Sequence, residues 1–158
     1  MKLPPLTYDD FQVGMKIRSQ GITVTEAHIV QFAQLTGDYN PLHVDEEFAR
    51  QTIFEGRVAH GLLTLSLATG LLAPLLAGTT IALLEVNAQF QKPVKIGDTI
   101  HVESEVIEKK ESRKYNGGTV TFKQEVKNQR GETVATITIK VLIARGPATK
   151  NNVIKTQP

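Results

Sequence analysis

Two hydrophobic periods divide the chain. Up to about residue 77 the apolar positions recur at helical spacing, and from Thr80 onward they alternate with polar ones. Residues 13–24 form a first strand with weak alternation. Thr25 is placed to cap a helix over EAHIVQFAQL, with Ile29, Phe32, Ala33 and Thr36 on one face and Gly37 as the C′ residue. The Asn-Pro step makes DYNPLH an irregular segment. Asp45 then caps a short helix, EEFARQT. Residues 61–77 predict a helix that is apolar nearly all round. Strands follow at 80–92, 99–112, 119–127 and 133–144. Their inward sets are Ile100, Val102 and Val106, then Val120, Phe122 and Val126, then Ile137, Ile139, Val141 and Ile143. Asn116-Gly117-Gly118 and Asn128-Gln129-Arg130-Gly131 read as turns.

Helices first and an antiparallel meander after make a segregated α+β arrangement. The apolar strand face must cover something, and helix 61–77 is the long apolar element available to it. A curved antiparallel sheet wrapped around a central apolar helix resembles the hot-dog fold. Residues 1–145 form a single domain of this kind, and the polar stretch 146–158 reads as a disordered tail. A half-wrapped sheet leaves a strand edge and one side of the helix layer open, which predicts a homodimer or higher oligomer.

Composition narrows the possibilities. The chain has 158 residues, 41% hydrophobic and 22% charged, within the range of one globular domain. A net charge of +2 gives no field for nucleic acid. The absence of cysteine removes disulfides, thiolate metal sites and cysteine nucleophiles. With no glycosylation sequon, and no apolar run in MKLPPLTYDD, a cytoplasmic location is expected. Residues 61–84 carry no charge over 24 positions, which is span length. Pro74 and Gly78 interrupt the run and no basic cluster flanks it, so no membrane span is expected. Four histidines without H-E-x-x-H spacing give no metal site. No G-x-S-x-G, G-x-G-x-x-G or P-loop is present, so serine hydrolase, dinucleotide and nucleotide-hydrolysis chemistry have no support.

The segment FAQLTGDYNPLHVDEEFA (32–49) carries the candidate chemistry. Asp38 sits just past a helix C-terminus, where the macrodipole disfavours a negative charge. His43, five residues on, can take up or release a proton near neutrality. Two such groups converging on one water make a general acid–base pair. Taken alone, the residues also fit a plainer reading, with Gly37-Asp38 a helix stop and His43 a surface loop residue.

The segment resembles the signature of the MaoC-like hydratases, which include the (R)-specific enoyl-CoA hydratases. That signature is an aromatic, an aliphatic, a small residue, then G-D-x-N-P-aliphatic-H, five residues, and Ala or Ser. Phe32, Leu35, Thr36, Gly37, Asp38, Asn40, Pro41, Leu42, His43 and Ala49 fill its constrained places. The likeness extends to RVAHGLLTLSLATGLL (57–72) and QFQKPVKIGDTI (89–100). It implies a cofactor-free lyase of fatty acid metabolism that interconverts 2-enoyl and (R)-3-hydroxyacyl thioesters, with the acyl tunnel at a homodimer interface. Asp38 and His43 would hold the water, Asn40 would fix their loop, and the Gly61 N–H would polarise the thioester carbonyl. The last role also follows from position, since Gly61 opens the apolar helix and a helix N-terminus offers free N–H groups.

His60 is placed beside the site to cap or pack, and Ser66 and Thr69 to line a pocket along the helix. Arg57, Lys92 and Lys95 are the basic residues available to coenzyme A phosphates, while His28 reads as a surface residue and His101 is unplaced. The substrate is an acyl thioester of coenzyme A or of acyl-carrier protein, and the sequence leaves that choice open. Two alternatives stand beside the hydratase: a hot-dog acyl-CoA thioesterase, and a non-catalytic acyl-thioester-binding subunit. Hydrolysis does not need the Asn-Pro-bracketed pair, and loss of Asp38 or His43 would mark the binding subunit; both residues are present.

Overall fold

The computed structural model describes residues 2–155. Four long strands form an antiparallel sheet: β3 (Thr80–Phe90), β4 (Thr99–Glu111), β5 (Gly117–Lys127) and β6 (Thr133–Ala144); only β4 to β6 run as the expected meander, and β3 pairs with β6. Two short strands, β1 (Lys16–Arg18) and β2 (Ile22–Thr23), both pair with β4. The order is β1-β4-β5-β6-β3, so β3 lies on an open edge. The single first strand expected over 13–24 is therefore two, parted around Gly21.

The alternation read from the sequence sets the core. Ile100, Val102, Val106, Val120, Phe122, Val126, Ile137, Ile139, Val141 and Ile143 are all buried in one cluster. Helix α4 (Gly61–Leu72) packs on it through Leu63 and Ala68, with Leu65, Leu67, Leu71 and Leu72 partly buried alongside. This is the helix-in-sheet arrangement of the hot-dog fold. The helix stops at Leu72 rather than 77, and Ala73–Leu76 tighten into a 3-10 turn. Pro74 cannot donate to the α-helical ladder, which ends it there. Among the described residues no helix is long and apolar enough to cross a membrane.

Before α4 come α1 (Glu26–Thr36), α2 (Pro41–Val44) and α3 (Glu46–Arg50). Thr25 caps α1 as expected, and His28 Nδ1 accepts the Thr25 N–H at 2.9 Å. The segment read as irregular contains the one-turn helix α2. Asn40 Oδ1 accepts the Leu42 N–H at 3.1 Å, and Pro41 occupies the first turn, where its missing N–H costs nothing. Arg57 fastens these helices to the approach to α4. Its guanidinium meets Glu26 and Glu46, both at 2.8 Å.

Two expectations need correction. Gly117 and Gly118 are not turn residues but the first residues of β5, and the chain reverses over 112–116. Gly118 is needed for close approach. A Cβ there would stand 2.3 Å from the Lys110 carbonyl oxygen and 2.6 Å from the ring of buried Tyr8. Nor is the tail disordered as far as it is described. Helix α5 (Lys150–Val153) docks beside the β4–β5 turn, with Val153 buried, Asn116 N–H bonded to the Val153 carbonyl, and Ile154 bridged to Tyr115. Bonds from Ala148 N–H to the Gly78 carbonyl, from the Asn116 amide to the Asn152 carbonyl and from Lys155 to the Ser112 carbonyl add to the hold on this polar segment, a long-range effect that composition does not show. The last part of the expected tail, 156–158, lies outside the described residues.

Gly118→Ala should lower stability by about 1–3 kcal/mol, the range for overpacking a filled site. The check is the shift in denaturation midpoint at constant slope. Glu46 supplies a pH-dependent test. Its hydrogen bond from Arg57 holds the carboxyl below its ordinary 4.5. A carboxyl with a depressed folded value adds stability above its unfolded value, and that stability is lost as pH falls through the folded one. Thermal melts should therefore show the parent above Glu46→Gln near neutrality, with the gap closing well below 4.5.

Candidate active site

The site begins where α1 stops. Gly37 takes a left-handed conformation (φ 78°) and its N–H returns to the Ala33 carbonyl. The next N–H, of Asp38, donates to Thr36 Oγ1 at 3.2 Å, and Asp38 Oδ1 accepts the Asn40 N–H at 3.2 Å. The Asp38 carboxylate is thus held by a local turn and remains exposed. Asn40 caps α2, whose single turn carries His43 back toward Asp38.

His43 is oriented from its far side. Its Nδ1 lies 2.7 Å from the Val58 carbonyl oxygen, which can only accept, so the proton sits on Nδ1 and Nε2 keeps its lone pair. The ring stacks on that of His60, with centroids 3.9 Å apart. His60 is 2% exposed, and its Nε2–H donates to the Asp38 backbone carbonyl at 3.0 Å. One buried imidazole therefore braces both the Asp38 turn and the His43 ring. A carboxylate oxygen of Asp38 and one ring nitrogen each of His43 and His60 lie within 4.8 Å of one another. That separation suits a single water bonded to two of them.

Gly61 follows His60 as the first residue of α4, so its N–H lies outside the intrahelical ladder. A Cβ on Gly61 would come within 3.3 Å of the Phe90 ring, so glycine keeps this helix end approachable. His43 and Gly61 line one cleft of about 350 Å³, together with Leu42, Thr64, Phe90 and Val134.

Asp38, His43 and His60 thus meet, Asn40 caps the turn that carries His43, and Gly61 follows His60 at the start of α4. Ser66 and Thr69 do not join them. The Ser66 hydroxyl is exposed and bonds to the Leu62 carbonyl of its own helix. Thr69 lines a second, separate cavity farther along α4. The basic residues considered for phosphate contact are engaged by other groups, although Lys92 also lines the cleft that holds His43 and Gly61. Arg57 holds Glu26 and Glu46, and Lys95 donates to the Phe54 carbonyl at 2.6 Å. Lys92 pairs with Glu132 and, with Arg130 and Asn128, holds that carboxyl down at about 2. His101 lies on the outer face of β4 beside Glu103.

Thr64 and Phe90 are missed by the sequence reading. Thr64 falls three residues after Gly61 on the same helix face, a signal that was available. Phe90 has no such signal, because only the return of β3 brings it to Gly61.

Comparison with known proteins agrees with this geometry. A family model described as MaoC like domain matches residues 10–128. The 3-hydroxybutyryl-CoA dehydratase of Methylorubrum extorquens is 38% identical over 108 residues, covering 68% of this chain and 68% of that protein. The (R)-specific enoyl-CoA hydratase of Aeromonas caviae is 36% identical over 108 residues, covering 68% of this chain and 80% of its own length. The X-ray structure of a monoamine oxidase regulatory protein from Archaeoglobus superposes with a TM-score of 0.82 at 43% identity, over 90% of this chain and 97% of that one. A signature met at every constrained position, a site assembled around it and a family match over most of the chain lead to one conclusion: the chain belongs to the MaoC-like domain family.

Proposed function

We propose that the protein is a hydratase that interconverts a 2-enoyl-CoA and the (R)-3-hydroxyacyl-CoA. The observation that carries this reading is the meeting of an Asp38 carboxylate oxygen and a His43 ring nitrogen within 4.8 Å, with His43 lining a cleft that the first residue of α4, Gly61, also lines. The relatives named as 3-hydroxybutyryl-CoA dehydratase and (R)-specific enoyl-CoA hydratase support the substrate class and the stereochemistry.

Water lies between Asp38 and His43, donating one O–H to the carboxylate and one to Nε2. Its remaining lone pair attacks C3 of the enoyl thioester. As the O–C3 bond forms, the C2=C3 electron pair moves onto C2 and the thioester oxygen. The Gly61 N–H donates to that oxygen, where negative charge develops. The acid–base pair takes one proton from the water and returns a proton to C2 on the same face. Dehydration runs the same steps backward. His60 and Asn40 hold the pair in position and touch no reacting atom. No thioester bond breaks, so no thiol is released.

Asp38→Asn keeps the shape of the side chain but removes its proton-carrying ability. The rate should fall about 10²–10⁴-fold, the usual contribution of one acid–base group. His43→Gln should cost a similar factor. The double variant should lose much less than the product, because both groups act on one water. Loss of the enoyl absorbance without thiol release is the measurement. Thiol release by the parent would favour a thioesterase, and full activity in Asp38→Asn would end this mechanism.

The working unit is a homodimer in this reading. Strand β3 offers an open edge, and Leu83, Leu84, Val86 and Phe90 along it are exposed, as is Leu62 on α4. Such an edge is a ready template for pairing with a second chain. Sedimentation should give at least twice the 17.4 kDa protomer mass at micromolar concentration, and a monomer alone would contradict it.

A further inference from the structure

A second cavity, of about 70 Å³, lies under the C-terminal half of α4. Thr69 and Leu72 border it on the helix, and Ile139 and Val141 border it on β6. Its lining is apolar except at a few positions, and two of these are unusual. Ser104 and Gln124 face each other directly across β4 and β5. They are 3% and 4% exposed. Ser104 Oγ and Gln124 Oε1 have no hydrogen-bond partner among the described residues. Neighbouring core positions on the same strands are Val102, Val106, Phe122 and Val126. Two orphaned oxygens at one place on an apolar sheet face weaken the core unless something meets them.

A single water needs about 10–15 Å³ of such space, so the cavity has room for several waters or for the end of a bound chain. Its position points to the substrate. The catalytic cleft borders α4 at Gly61 and Thr64 and β6 at Val134; the second cavity meets the same two elements farther along. From Gly61 to Thr69 and Leu72 the helix rises about 12–16 Å. Ala68, Ala135 and Ile137, all fully buried, pack the seam between the two cavities, so an acyl chain whose thioester sits at Gly61 has to part it, and its distal end then lies at Ser104 and Gln124.

The donor pattern identifies the group that belongs there. Gln124 Oε1 accepts, and Ser104 Oγ–H can donate. A hydroxyl satisfies both at once, giving its proton to Gln124 and taking that of Ser104. A methyl satisfies neither. We propose that the substrate is a medium-chain 2-enoyl thioester carrying a hydroxyl near its distal end, and that Ser104 and Gln124 are the residues that select it. This rests on the hydratase reading above.

The test is a graded series of medium-chain 2-enoyl-CoA thioesters, each made with a terminal methyl and with a terminal hydroxyl. At the matching length the hydroxylated thioester should show kcat/KM at least about tenfold higher, chiefly through KM; sites built to bond a hydroxyl discriminate more strongly than apolar pockets do. Ser104→Ala and Gln124→Leu should each bring the ratio toward one or below it. A parent that hydrates a short unsubstituted 2-enoyl-CoA, yet prefers the methyl-ended chain at every length, overturns the proposal without help from any variant. A ratio unchanged in both variants overturns the role of the pair. Failure to hydrate even the short thioester overturns the hydratase reading itself, and the proposal with it.

Discussion

The packing of α4 against the core face of β4, β5 and β6 is the constraint on which the rest depends. The helix is apolar on nearly every side, and the sheet supplies the matching apolar face. Burial of this kind is non-directional, so it fixes the layer but not the register along it. Register comes from polar anchors at the helix entrance. Ala59 N–H bonds to the Val94 carbonyl, Val58 N–H to the Leu42 carbonyl, and Arg57 to two acidic side chains from α1 and α3. With α4 so held, the position of Gly61 is set by the whole core rather than by its own loop.

The candidate site divides into a local part and a long-range part, and this division explains what could be read in advance. Asp38, Asn40 and His43 are arranged by a helix stop, an Asx cap and one proline, all within a few residues. Their backbone arrangement is written in local sequence, while the His43 ring takes its orientation from Val58 and His60. The inward faces of β4, β5 and β6 were legible for a similar reason, since a period of two assigns each side chain a face once one face is buried. His101 could not be placed from a short alternating run, and only the burial of Val102 and Ser104 puts it outside.

The misreadings share a different cause. Gly117 and Gly118 look like a turn because glycine is common in turns, yet what demands Gly118 is the Lys110 carbonyl on the paired strand together with the Tyr8 ring, over a hundred residues earlier. The docking of Val153 and the contact of Phe90 with Gly61 are likewise tertiary events. The bracing role of His60 was only half visible. Its place before α4 could be read, but its bond to the Asp38 carbonyl joins residues 22 apart and needs the fold. Ser66 and Thr69 were drawn toward the site by proximity in sequence, whereas helix geometry turns one outward and carries the other to a different cavity.

The open edge has one further property. Its pairing with β6 slips between Thr80 and Ala82 and again between Leu83 and Glu85. Such bulges bend a strand and increase its local twist. A flat strand from an unrelated chain therefore meets an edge of the wrong curvature and can satisfy only part of its backbone. The two irregularities thus act as a shape filter at this edge, resisting indiscriminate strand addition.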